Sequence, residues 1–198
     1  MSYHIELVDK NTKEILQMTM PAFIRSSTVA ATMQSNGVLK PCEQSDASIN
    51  VTYNYGRYYY EAAKGDKRFS YLSSEGNTEY GIRGLYGKTA SESISMLADM
   101  CNRIKSRYTD DTGKWIITKR KARRYFDENG DEIKDIITAS LQGKSYTSEE
   151  YEYEVSEGDT SNYWEATAAN AIEPLLNMIL FATDSLANPN SDAVWDGD

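Results

Sequence analysis

The stretch TASESISMLADMCNRIKSR, residues 89–107, carries the clearest structural signal of the chain. Thr89 can cap a helix, and Glu92 stands three residues later, which is the spacing of a capping box. Four apolar residues then recur with the period of an α-helix and share one face: Ile94, Leu97, Cys101 and Ile104. The pattern predicts a helix over Ser91–Arg107 that packs this face into the core.

Strand patterns precede this helix in the chain. Tyr3–Asp9 and Ile49–Tyr55 each alternate apolar with polar residues, which is the period of a half-buried strand. The first strand continues through a turn at Lys10–Lys13 into Glu14–Met20, a pattern that predicts an N-terminal β-hairpin. Residues Ser26–Asp46 are rich in polar side chains and predict a loop.

A second long helix is predicted near the C-terminus, over Thr167–Ala187, where apolar residues again follow the helical period. Pro174 lies inside this segment and is expected to bend the helix or to mark its first turns. The residues expected to face the core are Ile172, Leu175, Leu176, Ile179 and Leu186. Together these patterns predict an α+β fold in which a small antiparallel sheet is packed by two main helices.

Charge is distributed unevenly along the chain. The sequence has 30 Asp+Glu against 21 Lys+Arg, a net charge of −9. Nine of the cations nevertheless lie within Arg103–Arg124 beside only two carboxylates, so this window carries +7 and the rest of the chain −16. Such segregation concerns partners and association rates rather than fold, because a basic patch concentrates polyanions and an acidic face repels or imitates them. The pattern is typical of a binding protein.

The basic window is expected to form a projecting β-hairpin arm. Lys114–Tyr125 and Glu132–Leu141 flank Asn129-Gly130, a dipeptide typical of hairpin turns. Cations would lie on both faces of the first strand, which favours a ribbon that contacts a partner. The predicted partner or nucleic-acid contacts are Arg107, Lys114, Trp115, Lys119, Arg120, Lys121, Arg123 and Arg124.

Two roles remain open for this arm. It can enter a nucleic-acid groove, where phosphate contacts supply affinity and salt dependence. It can equally pair with the acidic strand Glu149–Glu154 of the same chain, in which tyrosines alternate with glutamates. Tyrosine is abundant, with 15 residues against four Phe and three Trp, and it suits half-buried strands as well as binding surfaces.

Composition predicts a soluble protein that acts inside a cell. The longest apolar run, Pro174–Ala182, is far shorter than the roughly 20 residues of a membrane helix. The N-terminus, Met1–Lys10, carries acidic residues where a secretory signal would be apolar. Cys42 and Cys101 do not form a close pair, which argues against a disulfide scaffold or a zinc cluster.

The segment Gly81–Thr89 (GIRGLYGKT) resembles a phosphate-binding loop without matching it. Five residues, rather than the four that the motif requires, separate Gly81 from the Gly-Lys-Thr. Thr89 as a helix cap explains the end of the segment without a ligand. Arg83 and Lys88 remain a candidate anion site at the helix start.

Catalytic patterns are weak in this sequence. Glu132 and Lys134, with Asp110 or Asp111 upstream, match the carboxylates and lysine of metal-dependent nucleases, a pattern that a highly charged chain produces by chance. His4 is the single histidine and starts an exposed strand, which argues against a hydrolase triad or a histidine-rich metal site. We expect no catalytic residues, no metal and no cofactor.

Four segments together resemble a known family: Asn50–Tyr55 (NVTYNY), Gly81–Thr89 (GIRGLYGKT), Tyr163–Thr167 (YWEAT) and Val194–Asp198 (VWDGD). In these segments the chain is similar to small proteins carried by phages, prophages and mobile elements of gut bacteria. The family motifs point to no established activity. Shorter relatives pass almost directly from the helix at Ser91 to the segment at Trp164. The resemblance therefore implies a core domain of residues 1–105 plus 160–198, with residues 106–159 as an inserted arm.

The resemblance also implies a function. A small acidic mobile-element protein without catalytic residues is expected to inhibit host defence in the bacterial cytoplasm, notably as an anti-CRISPR type inhibitor. Its partner would be a host nucleic-acid-guided nuclease or the complex of that nuclease with guide RNA or DNA. Carboxylates would stand in for DNA phosphates while the basic arm grips RNA, DNA or an acidic patch. The alternatives are a nucleic-acid-binding accessory protein, a metal-dependent nuclease, and a virion or housekeeping component.

Overall fold

The computed structural model describes residues 2–18, 45–186 and 193–197, so most of the predicted loop at Ser26–Asp46 lies outside the described residues. The strands are, in chain order, β1 (Ser2–Asp9), β2 (Gln17–Met18), β3 (Ser45–Asp46), β4 (Ser48–Thr52), β5 (Ser70–Leu72), β6 (Thr78–Tyr80), β7 (Ile117–Phe126), β8 (Thr147–Ser156) and β9 (Ala193–Gly197). The α-helices are α1 (Gly56–Ala63), α2 (Ala90–Arg107), α3 (Ile136–Leu141) and α4 (Ala168–Leu186). Within these ranges, no helix combines the length and apolarity needed to span a membrane.

A three-stranded antiparallel sheet with the strand order β4-β1-β9 forms the centre of the fold. Its register pairs Ile5 with Ile49 and Leu7 with Trp195. All four side chains are buried and belong to the hydrophobic core that includes α2 and α4, because alternate residues of a strand share one face of the sheet. The prediction of an α+β fold with a small antiparallel sheet is confirmed.

Helix α2 begins and ends within one residue of its predicted bounds. Its capping box forms, since Thr89 Oγ1 accepts a hydrogen bond from Glu92 N (3.3 Å) and Glu92 Oε2 accepts one from Thr89 N (2.9 Å). The predicted apolar face is also confirmed, because Leu97, Cys101 and Ile104 are buried and Ile94 packs against the core. Local capping and periodicity are sufficient to predict this helix.

The predicted inward face of the C-terminal helix is partly wrong. Leu176 and Leu186 are 49% and 52% exposed, whereas Leu175 is fully buried. The buried stripe of α4 includes Ala171, Leu175, Met178, Phe181, Ala182 and Ser185. Small side chains in this stripe allow α4 to approach α2 closely. This close packing, rather than the apolarity of each residue, determines which leucines are covered.

Two strand predictions extend too far. Strand β4 ends at Thr52, whose side chain accepts a hydrogen bond from Asn54 N and caps a 3-10 turn over Tyr53–Tyr55. The turn after β1 forms as predicted, since Asp9 N donates to Glu14 O (2.9 Å). The second strand of this hairpin pairs with β1 through a bridge between Val8 and Ile15 and a hydrogen bond from Leu16 N to Leu7 O (2.9 Å). The next two residues, β2, pair with β3, and Met20 lies outside the described residues. The alternating pattern alone would continue both strands. Side-chain capping by Thr52 ends β4, and the pairing of β2 with β3 ends the pairing with β1.

Two of the motifs that carry the family resemblance, NVTYNY and YWEAT, contact each other. Asn54 Nδ2 donates a hydrogen bond to Trp164 O (3.0 Å). Tyr163 OH donates to Asn50 O (3.0 Å), and Tyr55 OH donates to Tyr163 O. These contacts join the end of β4 to the segment that leads into α4.

The other two motifs, GIRGLYGKT and VWDGD, also contact each other. Gly87 N donates a hydrogen bond to Trp195 O (2.8 Å), and Trp195 N donates to Lys88 O (3.0 Å). A Cβ added at Gly197 would lie 2.5 Å from both His4 O and Tyr86 OH, so the approach of β9 to this segment requires glycine. All four motifs thus connect parts of the chain that are distant in sequence.

The hairpin predicted around Asn129-Gly130 is wrong in its second strand. The turn forms, with Gly130 at a φ of 84° and Gly130 N donating to Asp127 O (3.0 Å). Beyond a single bridge between Phe126 and Glu132, however, the chain does not pair with β7. Asp135 instead caps α3 by accepting a hydrogen bond from Thr138 N (3.0 Å), and β7 pairs with β8. Helix capping and the charge complementarity of β8 outweigh the local hairpin signal.

Candidate partner-binding ribbon

Strands β7 and β8 form a two-stranded antiparallel sheet, which we call the ribbon, separate from the three-stranded sheet. Ten residues of each strand are paired, from Ile117 opposite Ser156 to Phe126 opposite Thr147. At about 3.3 Å per residue the ribbon is about 30 Å long. The interpretation in which the basic strand pairs with the acidic strand of the same chain is therefore confirmed, while its contact with a partner stays a prediction.

One face of the ribbon is exposed and combines both signs of charge. Its register places three cations opposite three carboxylates, in the pairs Lys119–Glu154, Lys121–Glu152 and Arg123–Glu150. Lys121 Nζ also lies 2.8 Å from Glu150 Oε1, across the diagonal of the sheet. Exposed pairs of this kind contribute only about 0–1 kcal/mol to stability. We call this the outward face; its charge is mixed rather than basic.

The opposite face of the ribbon is anchored to the rest of the protein by Arg120, of which only 12% of the side chain is exposed. Its Nη1 donates to Glu165 Oε1 (3.0 Å). Its Nη2 donates to Glu157 Oε1 (3.0 Å), to Tyr58 OH (3.1 Å) and to Ala166 O (2.6 Å). These hydrogen bonds connect β7 to α1 and to the segment that precedes α4.

Glu157, directly after β8, is the fully buried centre of this arrangement. Its Oε1 accepts from Thr118 Oγ1 (2.7 Å) as well as from Arg120. Its Oε2 accepts from Tyr58 OH (2.7 Å) and from Ala168 N (2.9 Å), the first amide of α4. A carboxylate is favourable at a helix N-terminus because the helix dipole is positive there. The anchor cluster, as we name it, consists of Tyr58, Thr118, Arg120, Glu157 and Glu165.

The anchor cluster keeps Glu157 ionised. Burial disfavours the charged carboxylate, but hydrogen bonds from Tyr58, Thr118 and Arg120 outweigh burial and lower the pKa of Glu157 below its usual value. Burial raises the pKa of Tyr58, and the hydrogen bond to Glu157 raises it further against the opposing effect of Arg57. At neutral pH the cluster therefore holds one buried carboxylate against a guanidinium and a protonated phenol.

The lowered pKa of Glu157 predicts a loss of stability in acid. The unfolded chain takes up this proton near the ordinary glutamate pKa of about 4.3, whereas the folded chain takes it up only at lower pH. The contribution of Glu157 is thus complete above that value and is lost as the pH falls through the folded pKa.

We expect the free energy of unfolding, measured by urea denaturation, to decrease less between pH 7 and pH 3 in Glu157→Gln than in the wild type. Glu154→Gln on the outward face is the matched control, because it removes a carboxylate that lies outside the anchor cluster. An equal change of pH dependence in both variants would contradict this assignment to Glu157.

The eight predicted contact residues differ in their surroundings. Arg120 is part of the anchor cluster. Trp115 is partly buried and packs against the core, and a Cβ at Gly158 would clash with its indole ring. The side chains of both residues therefore make contacts within the protein itself. The remaining six lie at the surface: Arg107, Lys114, Lys119, Lys121, Arg123 and Arg124.

Three of these six surface residues form ion pairs with acidic side chains of the described chain, and three do not. Arg107 Nε lies 2.9 Å from Glu61 Oε2, and Arg124 Nε lies 3.7 Å from Glu132 Oε1. Lys121 pairs with Glu150 on the outward face, as described above. Across the described ranges, no ion pair is formed by Lys114, Lys119 or Arg123. The cations best placed for a partner are therefore Lys119 and Arg123 on the outward face.

The structure places Arg83 and Lys88 in different surroundings. The start of α2 already holds the Glu92 carboxylate, whose pKa is lowered by hydrogen bonds from Thr89 and, less strongly, by the nearby Lys88. Backbone N–H groups of this segment donate to carbonyls of the protein itself, such as Gly87 N to Trp195 O. Arg83 instead lines a pocket beside α1. A joint anion site of Arg83 and Lys88 stays a prediction.

The residues of the nuclease-like pattern are not brought together. Asp110 closes a turn before β7 by accepting from Thr112 N (2.8 Å) and Lys114 N (3.0 Å). Glu132 lies beyond the other end of β7, about 30 Å away along the strand. Throughout the described part of the chain, no group of three His, Cys, Asp or Glu side chains is placed to hold a metal ion.

The single histidine and the described cysteine lie on opposite sides of the central sheet. His4 alternates with the buried Ile5 and so lies on the face of β1 away from the core. Cys101 is inside the core, and burial raises the pKa of its thiol to about 11. A protonated, buried thiol is not a nucleophile. Cys42 lies outside the described residues.

Sequence reasoning did not identify Tyr58, Glu157 or Glu165 as functional neighbours of the ribbon. Each is distant in sequence from Arg120, and no local period connects them. The one available signal is Glu157 itself, an acidic residue at the end of a strand and ten residues before a predicted helix start.

Comparisons of the chain with protein-family models, with curated proteins and with solved structures found no match.

Proposed function

We propose that this chain is a non-catalytic, mobile-element protein that binds and inhibits a host nucleic-acid-guided nuclease in the bacterial cytoplasm. The observation that carries the proposal is the ribbon, a ten-residue pair of strands with a charged outward face and a buried anchor cluster. The outward face is exposed, while the position of the ribbon is held by the charged hydrogen bonds of Arg120 with Glu157 and Glu165.

Rigid presentation supports a recognition role for the ribbon. An interface that is already ordered loses less conformational freedom on binding than a flexible arm does. The hydrogen bonds of Arg120 hold β7 at one position against α1 and the segment before α4. A charged surface held in this way can match the charge pattern of one partner and repel others, which gives specificity and a fast association rate.

The mixed charge of the outward face favours a protein partner for the ribbon. Each cation of the row faces a carboxylate of β8, which would repel a phosphate backbone. A protein surface can offer both signs of charge and so complement the whole row. The acidic surface elsewhere, in a chain of net charge −9, can compete with nucleic acid for a basic groove of the nuclease.

A nucleic-acid-binding accessory protein is the second candidate. It is favoured by Lys114, Lys119 and Arg123, which form no ion pair with the described residues and so remain available for phosphates. Binding of this kind would weaken steeply with salt, because phosphate contacts release counterions.

The test is a charge reversal on the outward face, Lys119→Glu with Arg123→Glu. We expect it to weaken capture of a defence nuclease from host lysate, and inhibition of that nuclease in a cleavage assay, by about tenfold or more, because like charges would then meet at the interface. The matched control is Lys13→Glu with Lys67→Glu, which changes the net charge equally at two exposed lysines outside the ribbon.

The lysate is divided and one half is digested with nucleases before capture. A nuclease that is retained after digestion, inhibited by the wild type and released by the outward-face reversal supports the proposal. Recovery of nucleic acid alone, lost with the same reversal, would instead favour the accessory protein. Equal capture by both double variants would contradict a role for the ribbon in either function.

A further inference from the structure

A pocket of about 420 Å³ opens on the side of α1, next to the β5–β6 hairpin. Its volume lies within the range of about 300–1,000 Å³ that is typical of small-molecule sites. All of its lining residues come from parts of the chain outside the ribbon. The lining includes four tyrosines and two charged side chains: Tyr53, Tyr60, Tyr71, Tyr80, Glu79 and Arg83.

Aromatic rings dominate the wall of this pocket. Tyr53 and Tyr60 are 47% and 45% exposed, which is high for such large apolar rings. The lining also includes the buried side chains of Tyr59 and Ile82. Half-exposed aromatic rings around a concave surface suit a planar ligand, since each nucleobase or similar ring can stack on a tyrosine face.

Two charged groups of opposite sign complete the lining. Glu79 Oε2 accepts a hydrogen bond from Tyr71 OH (2.8 Å), which leaves Oε1 for a further donor. Burial, reinforced by this hydrogen bond, raises the pKa of Tyr71 to about 12, so the phenol stays protonated and donates to Glu79. Arg83 supplies a guanidinium, the side chain that best matches phosphate geometry.

We propose that this pocket binds a nucleotide. The base stacks on the tyrosine rings, N–H groups at its edge donate to Glu79, and the phosphate pairs with Arg83. Arg83 would repel a purely cationic ligand, and Glu79 would repel a purely anionic one. A nucleotide can pair with both groups, because its base offers N–H donors and its phosphate is an anion. Guanine carries adjacent imino and amino donors on one edge and therefore fits the carboxylate best. This site goes beyond the proposed function, because it does not involve the ribbon.

The nucleotide can be free or part of a single strand, and the probes separate these sources. Isothermal titration calorimetry on the full chain compares GMP, AMP, CMP, UMP, guanosine and a short uridine RNA with one central guanosine. We expect GMP to bind most tightly and guanosine, which lacks the phosphate, about tenfold or more weakly. Tight binding of the RNA with weak binding of GMP would assign the site to a nucleotide within a strand.

Two variants with matched controls test the contacts. Arg83→Gln is expected to weaken GMP binding about tenfold or more without changing the binding of guanosine, whereas Lys67→Gln, at an exposed lysine outside the lining, leaves both unchanged. Tyr60→Ala is expected to weaken all base-containing ligands about tenfold. Its control is Tyr146→Ala, which removes an equally exposed tyrosine that is not part of the lining and packs against Tyr125 of β7.

A third variant blocks the pocket without relying on any of these side chains. Gly56 lines the pocket, its φ of −53° is helical, and a Cβ added there meets no atom within 4 Å. Gly56→Leu should therefore fold, as circular dichroism can verify, and should abolish GMP binding. The proposal is overturned if neither GMP nor the RNA binds at millimolar concentration, or if binding survives Gly56→Leu in the folded variant.

Discussion

Replacing Arg120 with alanine is expected to lower the free energy of unfolding by about 3–5 kcal/mol. Arg120 is the largely buried cation beside the fully buried Glu157, and its removal leaves that carboxylate with its other hydrogen bonds and with only the half-exposed Arg57, whose Nη2 lies 3.6 Å from Glu157 Oε1. The loss of one partner of a buried ion pair costs far more than the pair itself contributes, because desolvation of the remaining charge is no longer compensated. Urea denaturation of the purified variant measures the change.

Lys121→Ala is the matched control for Arg120→Ala. Lys121 is the next residue of β7, it also pairs with a glutamate, and its side chain is 64% exposed where that of Arg120 is 12% exposed. Its removal is expected to cost less than about 1 kcal/mol. If both variants lost the same stability, the orientation of the ribbon would not depend on the anchor cluster, and the argument for rigid presentation would fail with it.

Replacing Gly84 with alanine is expected to cost about 3 kcal/mol of unfolding free energy. A Cβ at this position would overlap the backbone of Phe69, whose carbon and oxygen atoms it would meet well inside van der Waals contact. A backbone cannot rotate away as a flexible side chain can, so the 3-10 turn at Ile82–Leu85 must separate from the turn at Lys67–Phe69. Thermal and urea denaturation report the loss.

Gly56→Ala is the control for Gly84→Ala, since it adds the same methyl group where nothing lies within 4 Å. Its backbone is already helical, so alanine restricts the unfolded chain and is expected to stabilise the protein by about 0.4–1 kcal/mol. A cost below about 0.5 kcal/mol for Gly84→Ala would show that the two turns are not in close contact in solution.

The predictions from sequence succeeded where neighbouring residues contain the cause. Thr89 and Glu92 form the capping box of α2 within four residues, and one turn of helix suffices to bring them together. The same is true of the turn at Asn129-Gly130, which forms although the hairpin around it does not. Local rules thus predict the bounds of α2 and the position of this turn, but they do not predict the partner of a strand.

The predictions failed where a choice between distant partners was needed. Strand β7 could pair with the segment after its own turn or with β8, and both pairings were compatible with local patterns. The register of the ribbon brings glutamates opposite the cations of β7, and Asp135 diverts the nearer segment into α3. In α4, likewise, contact with α2 rather than the apolarity of each residue determined that Leu175 is buried while Leu176 is exposed.

Sequence alone established the α+β class, the bounds of α2 and the segregation of charge, because composition and short-range period are properties of the chain itself. Only the tertiary structure showed that the positive charge of β7 is largely balanced by the glutamates of β8. It also showed that Arg120 lies in the anchor cluster rather than on the outward face. It also brought Glu157 to the start of α4 and assembled tyrosines around Arg83. These features join residues that are far apart in sequence, and their positions depend on packing and desolvation, which no local pattern records.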